Sequence, residues 1–319
     1  MESASVGIDL GGTSIKFGVV TPEGEVVARS EIPTPTGHPR EAVRAISGAV
    51  QKLIEASGLR PGRIGKVGVG TPGVLDPQKG VVRSAANLEG WTDVPLRDWL
   101  AEDLARPVRV MNDANAAALG EIRFGAAKGV TNLVLLTLGT GVGGGIVLGS
   151  KVIEGSRGLA GELGHMRIEM GQPRPCACGL FGCLEAYAGG RSLLKRMHET
   201  LADDIQEISL LQEKSKRETL TVEDLFWAAG EGDGLMIRIV DETALALSAG
   251  IANLLHALNP EMVVLAGGVS RSLLLLEKIR EYLPDMALMA YMEDFQLRTS
   301  GLGTDAGILG AAAAVGDLA

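Results

Sequence analysis

Residues 5–32 alternate short apolar runs with glycine or polar turns: SVGIDLG, SIKFGVV and EVVARSEI. Runs of this length, rich in Val and Ile and punctuated by Gly, predict three strands joined by tight turns. The period then changes. In PREAVRAISGAVQKLIEASG (residues 39–58) apolar residues recur every three or four positions, which predicts an amphipathic helix. GKVGVGTPGVL (65–75) reads as a strand, PLRDWLAEDLA (95–105) as a helix, VRVMND (108–113) as a strand and ANAAALGEIRFGAA (114–127) as a helix. This alternation predicts a mixed α/β domain.

From Thr131 the same order begins again, because LVLLTLG, GGGIVLG and KVIEG repeat the strand, glycine turn, strand, turn, strand sequence of the first segment. The chain therefore reads as an internal duplication. Helices are expected at 191–202, 221–230 and 235–259, a buried strand at EMVVLAGG (261–268), a helix at 270–283 and a closing Ala-rich helix at 305–318. Residues 202–220, charged and weakly periodic, read as a surface connection.

Composition narrows the class. The 319 residues suffice for two domains, and 46% hydrophobic residues with only 3% aromatics imply aliphatic cores. The 44 glycines imply tight turns or close backbone approach in several places. A net charge of -9 leaves no basic stripe for nucleic acid, although backbone N–H groups can still hold a small anion. The first five residues, MESAS, lack the basic and apolar regions of a secretory signal, so a cytoplasmic location is expected. Residues 129–150 are uncharged and raise the question of a membrane span, but seven of them are glycines, and strand, turn, strand is the expected reading, with no membrane partner.

Three glycine turns are candidate ligand sites. GIDLGGTSIKFGVV sets Asp9 at a strand end, then Gly11, Gly12 and Thr13, then Lys16 on the next strand. Such a turn can cradle phosphate oxygens while Asp9 holds Mg2+ or its waters, although a plain hairpin has the same composition. LGTGVGGG, with Gly139, Thr140 and Gly141, satisfies G-x-G-x-x-G, but the run leads into an apolar strand rather than a helix, which argues against dinucleotide binding. Two such cradles facing each other would suit the phosphates of ATP. Gly267 and Gly268 in VVLAGGVS offer a third close approach, which an ordinary strand-to-helix turn also explains.

Asn112 and Asp113 stand where a strand meets a helix. Either an N-cap or a general base for phosphoryl transfer fits Asp113, because positioning outweighs basicity in that reaction.

All three cysteines, Cys176, Cys178 and Cys183, lie within eight residues, with His165 upstream. Odd, clustered cysteines without a secretory signal point away from a structural disulfide, and Cys3His is a closed structural zinc set. Gly179 and Gly182 would permit the turn that returns Cys183 toward Cys178. His165 would keep one ring nitrogen for a substrate hydroxyl, and Glu162 and Glu185 would join the same wall as acceptors for a polyol.

Taken together, DLGGTSIKFG, TPG, NDAN, LGTGVGGG, GELGHMRIEMGQPRPCACGLFGCLE and LAGGVS resemble, in order, the ROK family (repressors, open reading frames and kinases) of the hexokinase/actin-like ATPase superfamily. The resemblance spans nearly the whole chain. It implies two actin-like (ribonuclease H-like) α/β domains around a central cleft: a smaller one over residues 1–118, on which a C-terminal helix at about 304–319 packs back, and a larger one over 119–303 carrying the zinc segment 165–185. It implies ATP, Mg2+ and structural Zn2+, with Asp113 as the base toward the 6-hydroxyl of glucose. Gly73, Asn87, Asn112, Asp113, Glu162, His165 and Glu185 would contact the sugar, and Asp9, Gly11, Gly12, Thr13, Lys16, Gly139, Thr140, Gly141, Gly267 and Gly268 the nucleotide. Zinc would take His165, Cys176, Cys178 and Cys183. The implied protein is a glucokinase-type homo-oligomer, dimer or tetramer. Kinases for N-acetylglucosamine, N-acetylmannosamine, mannose or fructose share the motifs, and a non-catalytic sugar sensor is the rival from another class. The family's repressors carry a helix-turn-helix ahead of the first phosphate loop, for which no room is expected here because that strand starts at about residue 5.

Overall fold

A computed structural model describes residues 3–85, 87–202 and 209–317. The chain divides into two compact units. The first runs to Leu135, resumes over Gly145–Gly161 and ends with the segment from Ser300; the second comprises Leu136–Gly144 and Glu162–Thr299.

The chain opens with β1 (Ala4–Leu10), β2 (Ser14–Val20), β3 (Val26–Pro33), α1 (Pro39–Ala56), β4 (Ile64–Thr71), β5 (Val74–Asp76), β6 (Val81–Ser84), β7 (Thr92–Val94), α2 (Leu96–Leu104), β8 (Val108–Asn112) and α3 (Asp113–Phe124). Next come β9 (Leu133–Leu138), β10 (Val142–Leu148), β11 (Lys151–Val152), α4 (Glu185–Ala188), α5 (Gly190–Ala202), α6 (Gln212–Arg217), α7 (Val222–Gly230) and α8 (Gly234–Leu258). β12 (Met262–Ala266), α9 (Leu273–Tyr282), β13 (Gln296–Thr299) and α10 (Ala306–Ala314) complete it.

The two five-stranded sheets have orders β3-β2-β1-β4-β8 and β11-β10-β9-β12-β13, the same topology twice, which bears out the duplication read from the glycine-turn repeat. In the first, β1 pairs antiparallel with β2 and parallel with β4, and β4 pairs parallel with β8. The stretch 129–150 is β9, a turn and β10, as its glycines predicted, and no helix among the described residues is long and apolar enough to cross a membrane.

Three differences from the sequence reading have physical causes. The strand expected at 65–75 breaks after Thr71, because Pro72 has no N–H to donate and Gly73 takes φ +92°. The β5-β6-β7 sheet and β13 went unread because their strands have three or four residues, and β13 buries only Leu297. The connection expected at 202–220 contains α6, and its residues 203–208 lie outside the described residues.

Local chemistry explains the first unit. Pro39 starts α1 and His38 Nδ1 accepts from the Arg40 N–H (3.2 Å). Ala42, Val43, Ile46, Val50, Leu53 and Ile54 then form its buried stripe and pack into the cluster that holds Ile8, Phe17 and Val67. Arg40 ties this helix to α2 through both Asp103 oxygens (3.0 and 2.7 Å) and lies over the Trp99 ring.

On α10 the constraint is steric. A Cβ on Gly7 of β1 would lie 2.0 Å from the Ile308 carbonyl oxygen, and one on Gly68 of β4 would lie 1.7 Å from that of Ala311. Gly310 meets α3 in the same way, 1.8 Å from the Ala116 oxygen. The helix backbone thus rests directly on the strands. Gly68→Ala should lower stability by roughly 2–3 kcal/mol, since neither backbone can yield. An unchanged urea midpoint for that variant would refute this account of the packing.

Candidate active site and metal centre

In the first unit the strand register gathers one group of predicted residues. Asp9 pairs with Gly70 across β1 and β4, and Thr71 pairs with Asn112 across β4 and β8, so three parallel strands end together carrying Asp9, the Pro72-Gly73 turn and Asn112-Asp113. Carboxyl ends of parallel strands are where open α/β sheets bind ligands. Gly73 must be glycine: besides its φ of +92°, a Cβ would come 2.3 Å from the Ser84 oxygen. The Gly11-Gly12-Thr13 turn is closed by the Gly11 N–H on the Ser14 carbonyl (3.1 Å) and is latched to Thr34, whose hydroxyl donates to the Gly11 oxygen (2.6 Å). A Cβ on Gly12 would lie 2.9 Å from that of Asn87, which places Asn87 beside the turn.

The capping question resolves in favour of the neighbour. Asn112 Oδ1 accepts from the Ala114 and Asn115 N–H groups (3.0 and 3.2 Å), so Asn112 is the N-cap and Asp113 the first residue of α3. The Ala114 N–H also donates to Asp113 Oδ1 (2.8 Å), fixing the carboxylate at a helix terminus that favours negative charge. Asp9 lies opposite Lys16 in the β1-β2 register, and Gly307 at the start of α10 leaves room for its carboxyl, since a Cβ there would be 2.5 Å from Asp9 Cγ. Burial raises the Asp9 carboxyl above its ordinary value, against the smaller opposing pull of Lys16.

The second unit gathers the rest. The Gly139-Thr140-Gly141 turn is closed by the Gly139 N–H on Gly141 O (3.0 Å) and braced from α5, where the Gly190 and Arg191 N–H groups donate to Gly139 O (2.8 Å) and Thr140 O (3.0 Å). Glu185, first residue of α4, accepts the Val142 N–H through Oε2 (2.9 Å), and the absence of a side chain on Gly141 leaves room for it there, since a Cβ would lie 2.2 Å from that oxygen and displace the carboxylate. Gly267, at φ +92°, sits against the Leu138 carbonyl. Gly139, Thr140 and Gly268 line a cavity of about 320 Å³ together with Arg191, Leu194 and Val222.

His165, Cys176, Cys178 and Cys183 converge, with their ligand atoms all within 4.8 Å of one another. His165 Nδ1 is 3.8 Å from Cys176 Sγ, and Cys178 Sγ is 3.8 Å from Cys183 Sγ. Four ligands about 2.3 Å from a tetrahedral zinc lie ~3.8 Å apart, so the donor set fits that ion. The turn works as its glycines suggested: Gly179 and Gly182 have φ +86° and +77°, and the Cys176 N–H donates to Leu180 O (2.8 Å). Burial pushes the Cys176 thiol up to about 12, so a thiolate there calls for a cation beside it. Glu162 is exposed just before the turn Leu163–His165, and its carbonyl accepts the His165 N–H (3.0 Å).

A sequence model of the ROK family matches residues 5–317. The chain belongs to the ROK family. Over 307 residues, 96% of this chain and 92% of the relative, this ROK protein is 39% identical to a glucokinase of Halalkalibacterium halodurans. The crystal structure of a ROK hexokinase from Thermus thermophilus is 38% identical, with 97% of each chain covered and a TM-score of 0.79. A ROK family glucokinase from Streptomyces griseus, crystallised in complex with glucose and AMPPNP, is 34% identical with a TM-score of 0.79, covering 97% of this chain and 98% of that one.

Sequence reading missed the brace from Gly190 and Arg191 and the aliphatic cavity wall of Leu194 and Val222. The Gly189-Gly190 pair was the available signal for the first; the second had none, since both residues also serve helix patterns.

The state of Asp9 generates a prediction for this ROK protein. An acid whose folded-state pKa lies above its unfolded value loses stability as pH rises through that range. Without nucleotide at neutral pH, Asp9→Asn should therefore raise Tm, the gain shrinking as pH falls toward the ordinary carboxylate range near ~4. Melting curves across pH check this, and a lower Tm for the variant at pH 7 would contradict it.

Proposed function

We propose that this ROK protein is an ATP-dependent hexose kinase of the glucokinase type, transferring the γ-phosphoryl group of ATP to the 6-hydroxyl of glucose. The observation that carries the reading is Asp113 at the start of α3, relieved of the capping role by Asn112 and held through Oδ1 by the Ala114 N–H. A carboxylate so oriented accepts the hydroxyl proton as the sugar oxygen bonds to the γ-phosphorus and the bond to the β,γ-bridging oxygen breaks; ADP and the sugar 6-phosphate leave. Relatives named for glucokinase activity over nearly the full chain support the choice of reaction.

Other roles follow from the groups each unit assembles. In the first unit, Gly73, Asn87, Asn112 and Asp113 are assigned to the sugar, and the turn at Gly11, Gly12 and Thr13, with Lys16, to phosphate. In the second, Glu162, His165 and Glu185 are assigned to the sugar, the turn at Gly139, Thr140 and Gly141 to phosphate, and the 320 Å³ cavity beside Gly268 to adenosine, for whose base Leu194 and Val222 supply apolar walls. Asp9 would hold Mg2+ or its waters, and the ion would neutralise phosphate charge. His165, Cys176, Cys178 and Cys183 would hold a structural Zn2+ through Nδ1 and three thiolates, orienting the histidine's other nitrogen. The enzyme is read as a cytoplasmic homo-oligomer.

The deciding experiment is ADP release from Mg-ATP with glucose, mannose, fructose, N-acetylglucosamine and N-acetylmannosamine, ranked by kcat/KM. Glucose should lead; preference for an N-acetyl sugar would overturn the specificity, and silence across the panel would favour the sensor. Asp113→Asn should lower kcat by about 10²–10⁴-fold while glucose affinity stays within a few-fold; retained turnover would remove Asp113 from the role of base. The isolated protein should also contain one zinc per chain, and a chelated sample verified as zinc-free should lose glucose affinity measured directly by calorimetry. Unchanged affinity in that sample would dissociate the metal from sugar binding.

A further inference from the structure

The cavity of about 320 Å³ in the second unit has a charged wall as well as apolar ones. Arg191, second residue of α5, lines it together with Leu194. Residues three apart on a helix share a face, so the guanidinium and the leucine are presented to the same space. The backbone fixes where this side chain starts. The Arg191 N–H donates to the Thr140 carbonyl (3.0 Å) and the Gly190 N–H to that of Gly139 (2.8 Å), so Arg191 begins directly beside the turn assigned to phosphate. Gly190 permits the approach: a Cβ there would lie 2.8 Å from Gly139 O and 3.6 Å from Val222 Cγ2. One glycine thus brings together the phosphate turn, the start of α5 and an apolar wall of the cavity.

The guanidinium is available to a ligand. Arg191 is exposed, and among the described residues its side chain makes no hydrogen bond or ion pair. Arg174 and Arg196 of the same unit are, by contrast, both tied to Glu242. Glu223 lines the same cavity and forms no ion pair with Arg191.

We propose that Arg191 holds the phosphates nearest the nucleoside, those that stay on ADP; the inference rests on the kinase reading above and names a further binding residue for it. A guanidinium meets phosphate oxygens through a planar fork of donors, which gives orientation as well as charge. Because Arg191 lines the space whose walls are assigned to adenosine, the phosphates within its reach are the α and the β, not the transferred γ. Its contact is then the same before and after transfer. Such a residue strengthens nucleotide binding without stabilising the transition state selectively.

The test is calorimetric titration of AMPPNP-Mg, ADP-Mg and adenosine into the full chain, wild type and variants. Arg191→Met removes the charge but keeps a long side chain and the backbone N–H that braces Thr140. It should weaken AMPPNP and ADP by similar factors of about tenfold or more and leave adenosine within about twofold, with Arg191→Lys falling between. In turnover assays KM for ATP should rise while kcat stays nearly constant. Lys195→Met removes a cation one turn further along α5, where Lys195 pairs with Glu199 (3.6 Å), and should bind all three ligands as the wild type does. Unchanged AMPPNP affinity in Arg191→Met overturns the assignment. So does an equal loss for adenosine, which would move the guanidinium to the base, or an equal loss in Lys195→Met, which would reduce the effect to general charge. Wild-type protein that binds none of the three overturns the kinase reading itself, so the two failures are distinct.

Discussion

The first unit depends on a helix backbone lying directly on a sheet. α10 can sit there only because β1, β2 and β4 present Gly7, Gly18 and Gly68 where it crosses, and because Gly310 lets it meet α3 at the Ala116 carbonyl. Close approach of backbones leaves no slack for sliding, since a single methyl group would overlap a carbonyl oxygen. Two consequences reach the site. The start of α10 is set against the Asp9 carboxyl through Gly307, and α3, which begins at Asp113, is met by Gly310 at Ala116 in its first turn. The Asp9 and Asp113 carboxylates therefore take their surroundings in part from the packing of α10 at Gly307 and Gly310.

Buried charge is handled differently in each unit. Glu121 in α3 is fully buried, yet its oxygens accept from the N–H groups of Ala126 (2.7 Å), Gly301 (3.2 Å) and Leu302 (3.3 Å) and from the Ser300 hydroxyl. Such saturation offsets the desolvation of a carboxylate and pins the chain where it turns toward α10. Arg196 in α5 is equally enclosed, donating to Tyr187 O, Thr243 Oγ1, Ile239 O and Glu242 Oε2. It locks α5, whose first N–H groups brace the Gly139 turn, onto α8. Burial nevertheless pulls the Arg196 guanidinium below its ordinary value, as it raises the Asp9 carboxyl, and what would relieve Asp9 is a cation.

The segment from Glu162 to Leu184 has almost no regular structure, and two isolated bridges, Arg167 with Cys183 and Pro175 with Phe181, are its only ladder among the described residues. Little apolar surface is available there to offset chain entropy, and Leu180 and Phe181 are themselves exposed. The Cys3His cluster stands there in place of an apolar core, and a bound metal would cross-link it. Through Glu185 the cluster is also linked to the glycine turn at Val142.

Much of this was legible in the sequence. Strand and helix periods, the duplication and the glycine turns are short-range patterns, because side-chain alternation and the φ freedom of glycine act within a few residues. The clustered cysteines likewise announced their own convergence, being close along the chain. What escaped were features defined by partners distant in sequence. β13 buries one side chain and so carries no period; Gly190 and Arg191 act through backbone N–H groups that every non-proline residue has; and Asn112 and Asp113 are equally good caps until the helix start is set. The sequence by itself determined which segments form strands, helices and turns and which residues are chemically able to act. Only the tertiary structure decided that three parallel strands end in line, and that a helix crosses a row of three glycines on neighbouring strands, because register and close approach are relations between backbones that local composition does not encode.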